Sequence, residues 1–170
     1  MAIGNYSFIG MNKIESITIG KSVIIIGELS FYGATSLTNI ILPNSITTIA
    51  DWTFGFCESL LNVKIPNSVT TIGDSSFRYC KSLTRIIIPN SVTTIGNNVF
   101  SSCSSLENVI IGNSVTTIGS FAFSQCVSLK KYHNTKFSYS IGRRSISEMF
   151  FINKYNNSKI NYIYVKLCIL

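Results

Sequence analysis

Four cysteines stand at an unvarying interval of 23 residues in the middle of the chain. They are Cys57, Cys80, Cys103 and Cys126, and Ala34 and Met11 fill the two preceding places of the same row. Thiols at a fixed spacing raise two chemical hypotheses, a zinc site and a set of disulfides. Structural zinc sites use closely spaced cysteine pairs, and no such pair occurs here. The spacing therefore argues against a metal site.

Disulfides and buried free thiols remain as alternatives for this row. If the interval is one turn of a coil, neighbouring cysteines lie about 4.8 Å apart, a separation that a disulfide tolerates. In-register stacking, however, points their Cβ atoms in parallel rather than towards each other. Ala34 and Met11 show that the slot accepts a small or medium apolar group, a role in which cysteine behaves well. We predict buried free thiols.

Other catalytic groupings are missing from the sequence. The only histidine, His133, has no acidic residue within ten positions, so no obvious base is oriented for a serine or cysteine nucleophile. The seven acidic residues are scattered along the chain and form no carboxylate pair, and there is no glycine-rich phosphate loop. We predict no enzymatic activity, no metal and no cofactor.

The interval of the cysteines belongs to a repeat that runs through most of the chain. "NSVTTIG" occupies 67–73, 90–96 and 113–119, and "NSITTIA" occupies 44–50. Three apolar rows keep the same interval: Ile26, Ile49, Ile72, Ile95, Ile118; Phe31, Phe54, Phe77, Phe100, Phe123; and Leu37, Leu60, Leu83, Leu106, Leu129. One unit cannot bury its apolar face alone, whereas stacked units turn each row into a continuous ladder. The pattern predicts a solenoid.

Each unit divides into short extended segments and corners. "TRIII" and "SVTTI" have the alternation and β-branched residues of strands. Phe77, Cys80 and Leu83 recur every three residues, which predicts a short helical or 3₁₀ turn. Pro-Asn-Ser marks one corner. A glycine row marks the second, with positive φ expected at Gly27, Gly73, Gly96 and Gly119; Ala50 breaks this row.

The unit "IPNSVTTIGDSSFRYCKSLTRII" resembles the BspA-like leucine-rich repeats. The resemblance covers residues 1–132 and implies an α/β repeat solenoid, rich in β-strand: a right-handed coil with a parallel sheet on its concave face. Residues 133–170 depart from it and are predicted to form a degenerate repeat and a basic C-terminal cap. Members of the family are often surface or secreted proteins, some of them adhesins. The resemblance supplies no catalytic residues.

The outward positions of the sheet form the candidate binding face. They are Asn39, Ile41, Asn62, Lys64, Arg85, Ile87, Asn108 and Ile110. An apolar row beside amide and basic side chains is typical of a recognition surface for protein or glycan. Isoleucine at these positions is equally explained by strand propensity alone. The paired threonines of "SVTTI" leave the same choice open, between an exposed hydroxyl ladder that binds a ligand and plain scaffolding.

All of the net charge of +7 lies in the last quarter of the chain. The candidate basic patch there is Lys130, Lys131, Lys136, Arg143 and Arg144. A solvated end is the simplest interpretation, an electrostatic tether is an alternative, and nucleic acid is an improbable partner because no RNA-binding motif is present.

The sequence leaves two cellular compartments as alternatives for this protein. The first twenty residues show no secretory signal, and no stretch is apolar enough to span a membrane. The resemblance favours a surface or secreted protein. A cytoplasmic scaffold that assembles through its uncapped N-terminal edge is the alternative.

Overall fold

The computed structural model describes residues 1–129 completely and, beyond them, the backbone of strands at 131–134, 140–141, 149–152 and 162–167. In this part of the chain the strands are, in order, β1 (Ala2–Ile3), β2 (Ser16–Thr18), β3 (Ile25–Ile26), β4 (Asn39–Ile41), β5 (Thr48–Ile49), β6 (Asn62–Val63), β7 (Thr71–Ile72), β8 (Arg85–Ile88), β9 (Thr94–Ile95), β10 (Asn108–Ile111), β11 (Thr117–Ile118), β12 (Lys131–Asn134), β13 (Ser140–Ile141), β14 (Met149–Ile152) and β15 (Tyr162–Leu167). Every coil contributes two of the parallel strands.

The strands stack into two parallel ladders. Ladder A contains β2, β4, β6, β8, β10 and β12, and ladder B contains β1, β3, β5, β7, β9, β11 and β13. The hydrogen-bonded strand pairing is interrupted between β6 and β8 and between β3 and β5, where the strands lie in contact without pairing. Paired residues lie one repeat apart, as Asn39 with Asn62 in ladder A and Thr71 with Thr94 in ladder B. The predicted parallel solenoid is therefore confirmed. Strand β15 pairs antiparallel with β12 and with β14, and so extends ladder A beyond the repeats.

A column of phenylalanine rings fills the centre of the coil. Neighbouring rings from Phe8 to Phe123 stack with centroids 5.1–5.6 Å apart and with planes tilted by 21° at most. The ring at each inner level is fully buried. Offset stacking of this kind adds to the stabilisation from buried apolar area, by about 0.5–1.5 kcal/mol per pair. The column aligns every coil with its neighbours.

The third side of each coil consists of β-turns, so the predicted helical or 3₁₀ turns are wrong. Cys57 N–H donates to Phe54 C=O and Leu60 N–H to Cys57 C=O, three residues back in each case. Phe54 N–H, in contrast, donates to Ser76 C=O of the following coil. Because N–H groups leave the turn to bind the next coil, no helix forms among the described residues. We refer to this side as the turn face.

The predicted positive φ of the glycine row is also wrong. Among the described glycines, only Gly10 and Gly33 have positive φ, and both lie on the turn face. Gly96 is required for a different reason: a Cβ there would overlap Asp74 Oδ1 of the preceding coil. That oxygen accepts a hydrogen bond of 2.7 Å from Asn97 N–H. A Cβ at Gly96 would also lie 2.8 Å from Asp74 N, so the glycine makes room for both the backbone and a side chain of the preceding coil.

Ala50 interrupts the glycine row at the one junction where the preceding coil contributes a glutamate, Glu28, instead of an aspartate or asparagine. Asn5, Asp51, Asp74 and Asn97 each accept a hydrogen bond from the backbone N–H one repeat later. Glu28 occupies the same row and makes no such bond to Asp51 N–H. Alanine thus stands at the junction that lacks this side-chain hydrogen bond.

We expect Gly96→Ala to lower the free energy of unfolding by about 1–3 kcal/mol, because the new methyl group must displace the Asp74 carboxylate from Asn97 N–H. Gly20→Ala is the matched control, since a Cβ at Gly20 meets no atom within 4 Å. Urea denaturation of both variants measures the difference. Equal destabilisation by the two substitutions would contradict this account of the glycine row.

Candidate functional site

The candidate binding face lies on the outer side of ladder A. Along β8, Arg85 and Ile87 are exposed while Ile86 and Ile88 are buried, because successive strand residues point to opposite sides. Arg85 pairs with Asn108 and Ile87 with Ile110, so the polar and apolar rows each continue from coil to coil. Asn108 and Ile110 are half-buried.

An open depression of about 840 Å³ crosses three coils of this face. Five of the predicted residues line it: Asn62, Lys64, Arg85, Ile87 and Ile110. Asn39, Ile41 and Asn108 belong to the same rows but lie outside it. The depression therefore gathers the part of the predicted face formed by the third to fifth strands of ladder A and their corners.

The corner residues of the depression were missed from the sequence. They are Pro89, Ser91, Gly112 and the asparagines Asn67, Asn90 and Asn113. The Pro-Asn-Ser repeat was read only as a turn, although its asparagines stack in one row. Asn90 Oδ1 accepts a hydrogen bond of 2.9 Å from Asn113 N–H, which leaves the Asn90 amide N–H groups as donors. An amide row thus borders the isoleucines.

The depression carries positive charge without a counter-charge. Its lining contains Lys64 and Arg85 and no acidic side chain. Within residues 1–129 the single ion pair joins Lys81 Nζ to Glu58 Oε1 at 2.8 Å, away from this face. A ligand that presents carboxylate or sulfate groups would complement Lys64 and Arg85.

In three of the four "TT" pairs, the hydroxyl of the first threonine donates a hydrogen bond to the backbone of the preceding coil. Thr70 Oγ1 donates to Thr47 C=O at 3.2 Å, and Thr93 and Thr116 repeat the bond one coil later each. These hydroxyls support ladder B, although the side chains are exposed. The second row stacks Thr48, Thr71, Thr94 and Thr117 in register.

The four cysteines on the repeat are free and buried, as predicted. Each Sγ donates to the carbonyl oxygen of the phenylalanine one coil earlier, as Cys103 does to Phe77 at 3.2 Å. Burial raises the pKa of Cys57 and of Cys126 to about 12 and the pKa of Cys80 and Cys103 well above the ordinary value. Because the thiolate is the reactive form, these thiols are unreactive in the folded protein.

Most of the candidate basic patch lies outside the described residues, namely Lys130, Lys136, Arg143 and Arg144. The backbone of Lys131 lies in β12, in register with Asn108. Within the described part of the chain, no group of three or more histidine, cysteine or acidic side chains is arranged to hold a metal ion. The described residues contain no helix with the length and apolar character that crossing a membrane requires.

Two parallel ladders of short strands, one coil per 23 residues, define a leucine-rich-repeat solenoid. The sequence identifies the family within this class of solenoid. The chain belongs to the BspA-type leucine-rich repeat family, whose model matches six copies over residues 1–130. No curated protein matches the chain.

Solved bacterial leucine-rich repeat proteins have the same fold. A protein from Bacteroides ovatus is 35% identical, with a TM-score of 0.74 over 77% of this chain and 34% of its own. One from T. pallidum is 30% identical, with a TM-score of 0.80 over 83% of this chain and 66% of its own. A leucine rich cell surface protein from Faecalibacterium prausnitzii is 28% identical, with a TM-score of 0.65 over 79% and 44%. The chain spans about one third to two thirds of the length of these proteins.

The buried thiols predict a loss of stability in alkali. Unfolded thiols ionise near the ordinary value of 9.0, while Cys57 and Cys126 in the fold ionise near 12. The stabilisation is therefore complete below pH 9 and is lost as the pH rises from 9 to 12. Each such cysteine should lower the free energy of unfolding by about 1.4 kcal/mol per pH unit in that window.

Urea denaturation between pH 7 and 11 measures this slope. Cys80→Ala should unfold more easily at pH 7 yet lose stability less steeply above pH 9 than the unmodified protein. Val99→Ala is the control, because it removes buried apolar volume without removing a titratable group. If both variants keep the original slope, the thiols are not its cause.

Proposed function

We propose that this protein is a non-enzymatic recognition module that binds protein or glycan through the depression on ladder A, in the manner of a cell-surface adhesin. The observation that carries the proposal is the combination of an apolar strip, one amide row and two cations without counter-charges in one open depression. Specific interfaces combine an apolar centre with a polar rim in this way. One structural relative is described as a cell surface protein, which supports a location at the cell surface.

The shape of the depression suits an extended ligand. It crosses three coils, and neighbouring coils are separated by about 4.8 Å, so equivalent groups recur along the solenoid axis at that spacing. Ile87 and Ile110 offer apolar contact along the centre, while Lys64 and Arg85 attract anionic groups. We infer a ligand that carries carboxylate or sulfate groups on an otherwise apolar or hydroxyl-bearing chain.

The chemistry of the lining favours binding over catalysis. The depression contains no carboxylate, histidine or thiol, and its hydroxyl group belongs to Ser91. Activation of that serine would require an adjacent base held in a fixed geometry. Recognition requires only the contacts that the lining already provides.

Removal of the two cations and one isoleucine should weaken binding. We expect Lys64→Ala/Arg85→Ala/Ile87→Ala to weaken binding to immobilised heparin or to polyglutamate by about tenfold or more, because both charge contacts and apolar area are lost. Heparin represents sulfated glycans and polyglutamate represents acidic protein segments, so the two arms separate the two classes of ligand.

The matched control is Lys13→Ala/Lys21→Ala/Ile25→Ala, which makes the same chemical change at exposed residues outside the depression. Surface plasmon resonance at physiological salt provides the affinities. Equal losses in the two triple variants would indicate attraction by net charge alone and would remove the depression from the mechanism.

A second candidate function is assembly through the first coil. Large apolar side chains are concentrated there, with Met1, Tyr6, Ile9 and Met11 all exposed. Among the described strands β1 pairs with β3, and a further strand on its other side would extend ladder B. This interpretation describes an intracellular scaffold that associates through its N-terminal edge.

Assembly predicts concentration-dependent oligomers in sedimentation velocity experiments. Ile9→Ser/Met11→Ser should shift them to monomer, because it removes apolar area from the contact, while Ile24→Ser/Leu61→Ser changes exposed apolar residues of later coils. A protein that remains monomeric at high concentration would exclude this candidate.

A further inference from the structure

A cluster of aromatic residues lies on the turn face. Phe56 stacks on Tyr79 with ring centroids 4.4 Å apart, and Trp52 stacks on Phe56 at 6.5 Å. Tyr32 contacts both Trp52 and Phe56, at 5.9 and 5.3 Å. The guanidinium of Arg78 lies 5.5 Å from the Trp52 ring centroid and 5.1 Å from that of Tyr79. We call these five half-buried residues the aromatic cluster.

The coil itself does not require the aromatic cluster. Phe56 and Tyr79 have φ of 60° and 62°, in the left-handed region that bulky side chains avoid. The same row holds Gly10 and Gly33 in the first two coils, and glycine adopts this backbone without strain. The chain thus carries rings at positions where the fold favours a residue without a side chain.

Gly55 shows that the cluster is built as a unit. The residue one coil earlier in its row is Tyr32 and the residue one coil later is Arg78, yet residue 55 is a buried glycine. A Cβ at Gly55 would lie 2.8 Å from Cε3 of Trp52 and 3.2 Å from Cδ2 of Tyr32. The missing side chain is what allows the indole to lie against the coil.

Arg78 leaves hydrogen-bonding capacity unused. Its Nε is buried and has no hydrogen-bond partner, and the guanidinium forms no ion pair within residues 1–129. The described residues likewise provide no acceptor for the Trp52 indole N–H or for the hydroxyl groups of Tyr32 and Tyr79. The cluster therefore presents donors and a positive charge, and the ligand that complements it supplies acceptors and a carboxylate.

Two other kinds of ligand fit poorly. A quaternary ammonium group binds aromatic cages, but here the guanidinium of Arg78 already lies over the Trp52 and Tyr79 rings. Nucleic acid requires a positive groove, whereas residues 1–129 contain equal numbers of basic and acidic side chains, and Asp51 directly precedes Trp52. A protein interface is different: tryptophan, tyrosine and arginine, held rigid and partly desolvated, are the residues that dominate binding energy there.

We propose that the aromatic cluster is a second docking surface, which binds a segment of a partner protein that places an aspartate or glutamate carboxylate against Arg78. An apolar side chain of the same segment packs on Tyr32 and Phe56. The carboxylate supplies the partner that the guanidinium lacks, and the contact removes half-exposed ring surface from water. The proposal does not depend on a ligand in the depression of ladder A.

A random-peptide library displayed on phage tests the proposal. The enriched peptides, labelled with fluorescein, are titrated with the protein and followed by anisotropy. We expect the enriched sequences to share an acidic residue beside an apolar one. Their dissociation constants should rise about tenfold or more in Arg78→Gln and in Trp52→Ala. Lys21→Gln removes a positive charge at an exposed residue outside both surfaces and should leave the affinity unchanged.

Arg78→Gln keeps all four rings, so it remains informative if Trp52→Ala fails to fold. Trp52 is the only tryptophan, and its fluorescence reports independently on occupation of the cluster. Failure to enrich any peptide overturns the proposal. So do enriched peptides that lack acidic residues or that bind Arg78→Gln unchanged. If hyaluronan oligosaccharides quench Trp52 while acidic peptides do not, the cluster is a glycan site instead.

Discussion

Hydrogen bonding between successive coils is the constraint on which the rest of this structure depends. In the ladders, backbone N–H groups of one coil donate to the preceding coil, as Thr70 does to Thr47, while on the turn face they donate to the following coil, as Phe54 does to Ser76. A backbone satisfied in this way holds all coils in a single register. Each residue must then lie beside its own counterpart, so the repeated rows consist of side chains that stack on themselves: phenylalanine, isoleucine, threonine and cysteine.

The period was sufficient to predict the solenoid, its ladders and the residues that face outward, because an exact interval and strand alternation together determine which positions stack and which point to solvent. The turn face was predicted wrongly because Phe77, Cys80 and Leu83 have the same three-residue spacing in a 3₁₀ turn and in successive β-turns. What distinguishes the two is the acceptor of Phe54 N–H, which lies on another coil. Local spacing contains no information about that acceptor.

The candidate surfaces were predictable to different degrees. Lys64 and Arg85 follow from alternation along the strand, whereas the role of Asn90 beside them required the corner and the strand to be seen together. The aromatic cluster was missed because a search for repeats sets aside residues that do not recur, and Trp52 occurs once. Residues that recur maintain the coil, while the unused charges of the two surfaces, Lys64, Arg85 and Arg78, stand at positions that vary from coil to coil. The side chains that could recognise a ligand, such as Lys64, Arg85 and Trp52, are those that depart from the repeat.

The close approach of the glycine row to the preceding coil has a consequence for how such a chain can lengthen. A duplicated segment that begins at Glu28 and ends at Ala50 keeps each residue beside a neighbour that it fits. A duplicated segment that begins between Glu28 and Ala50 and ends at or after Asp51 would place the second copy of Ala50 beside Asp51, where its methyl group overlaps the carboxylate. A duplication that preserves the junction of Glu28 with Ala50 therefore begins directly after Gly27.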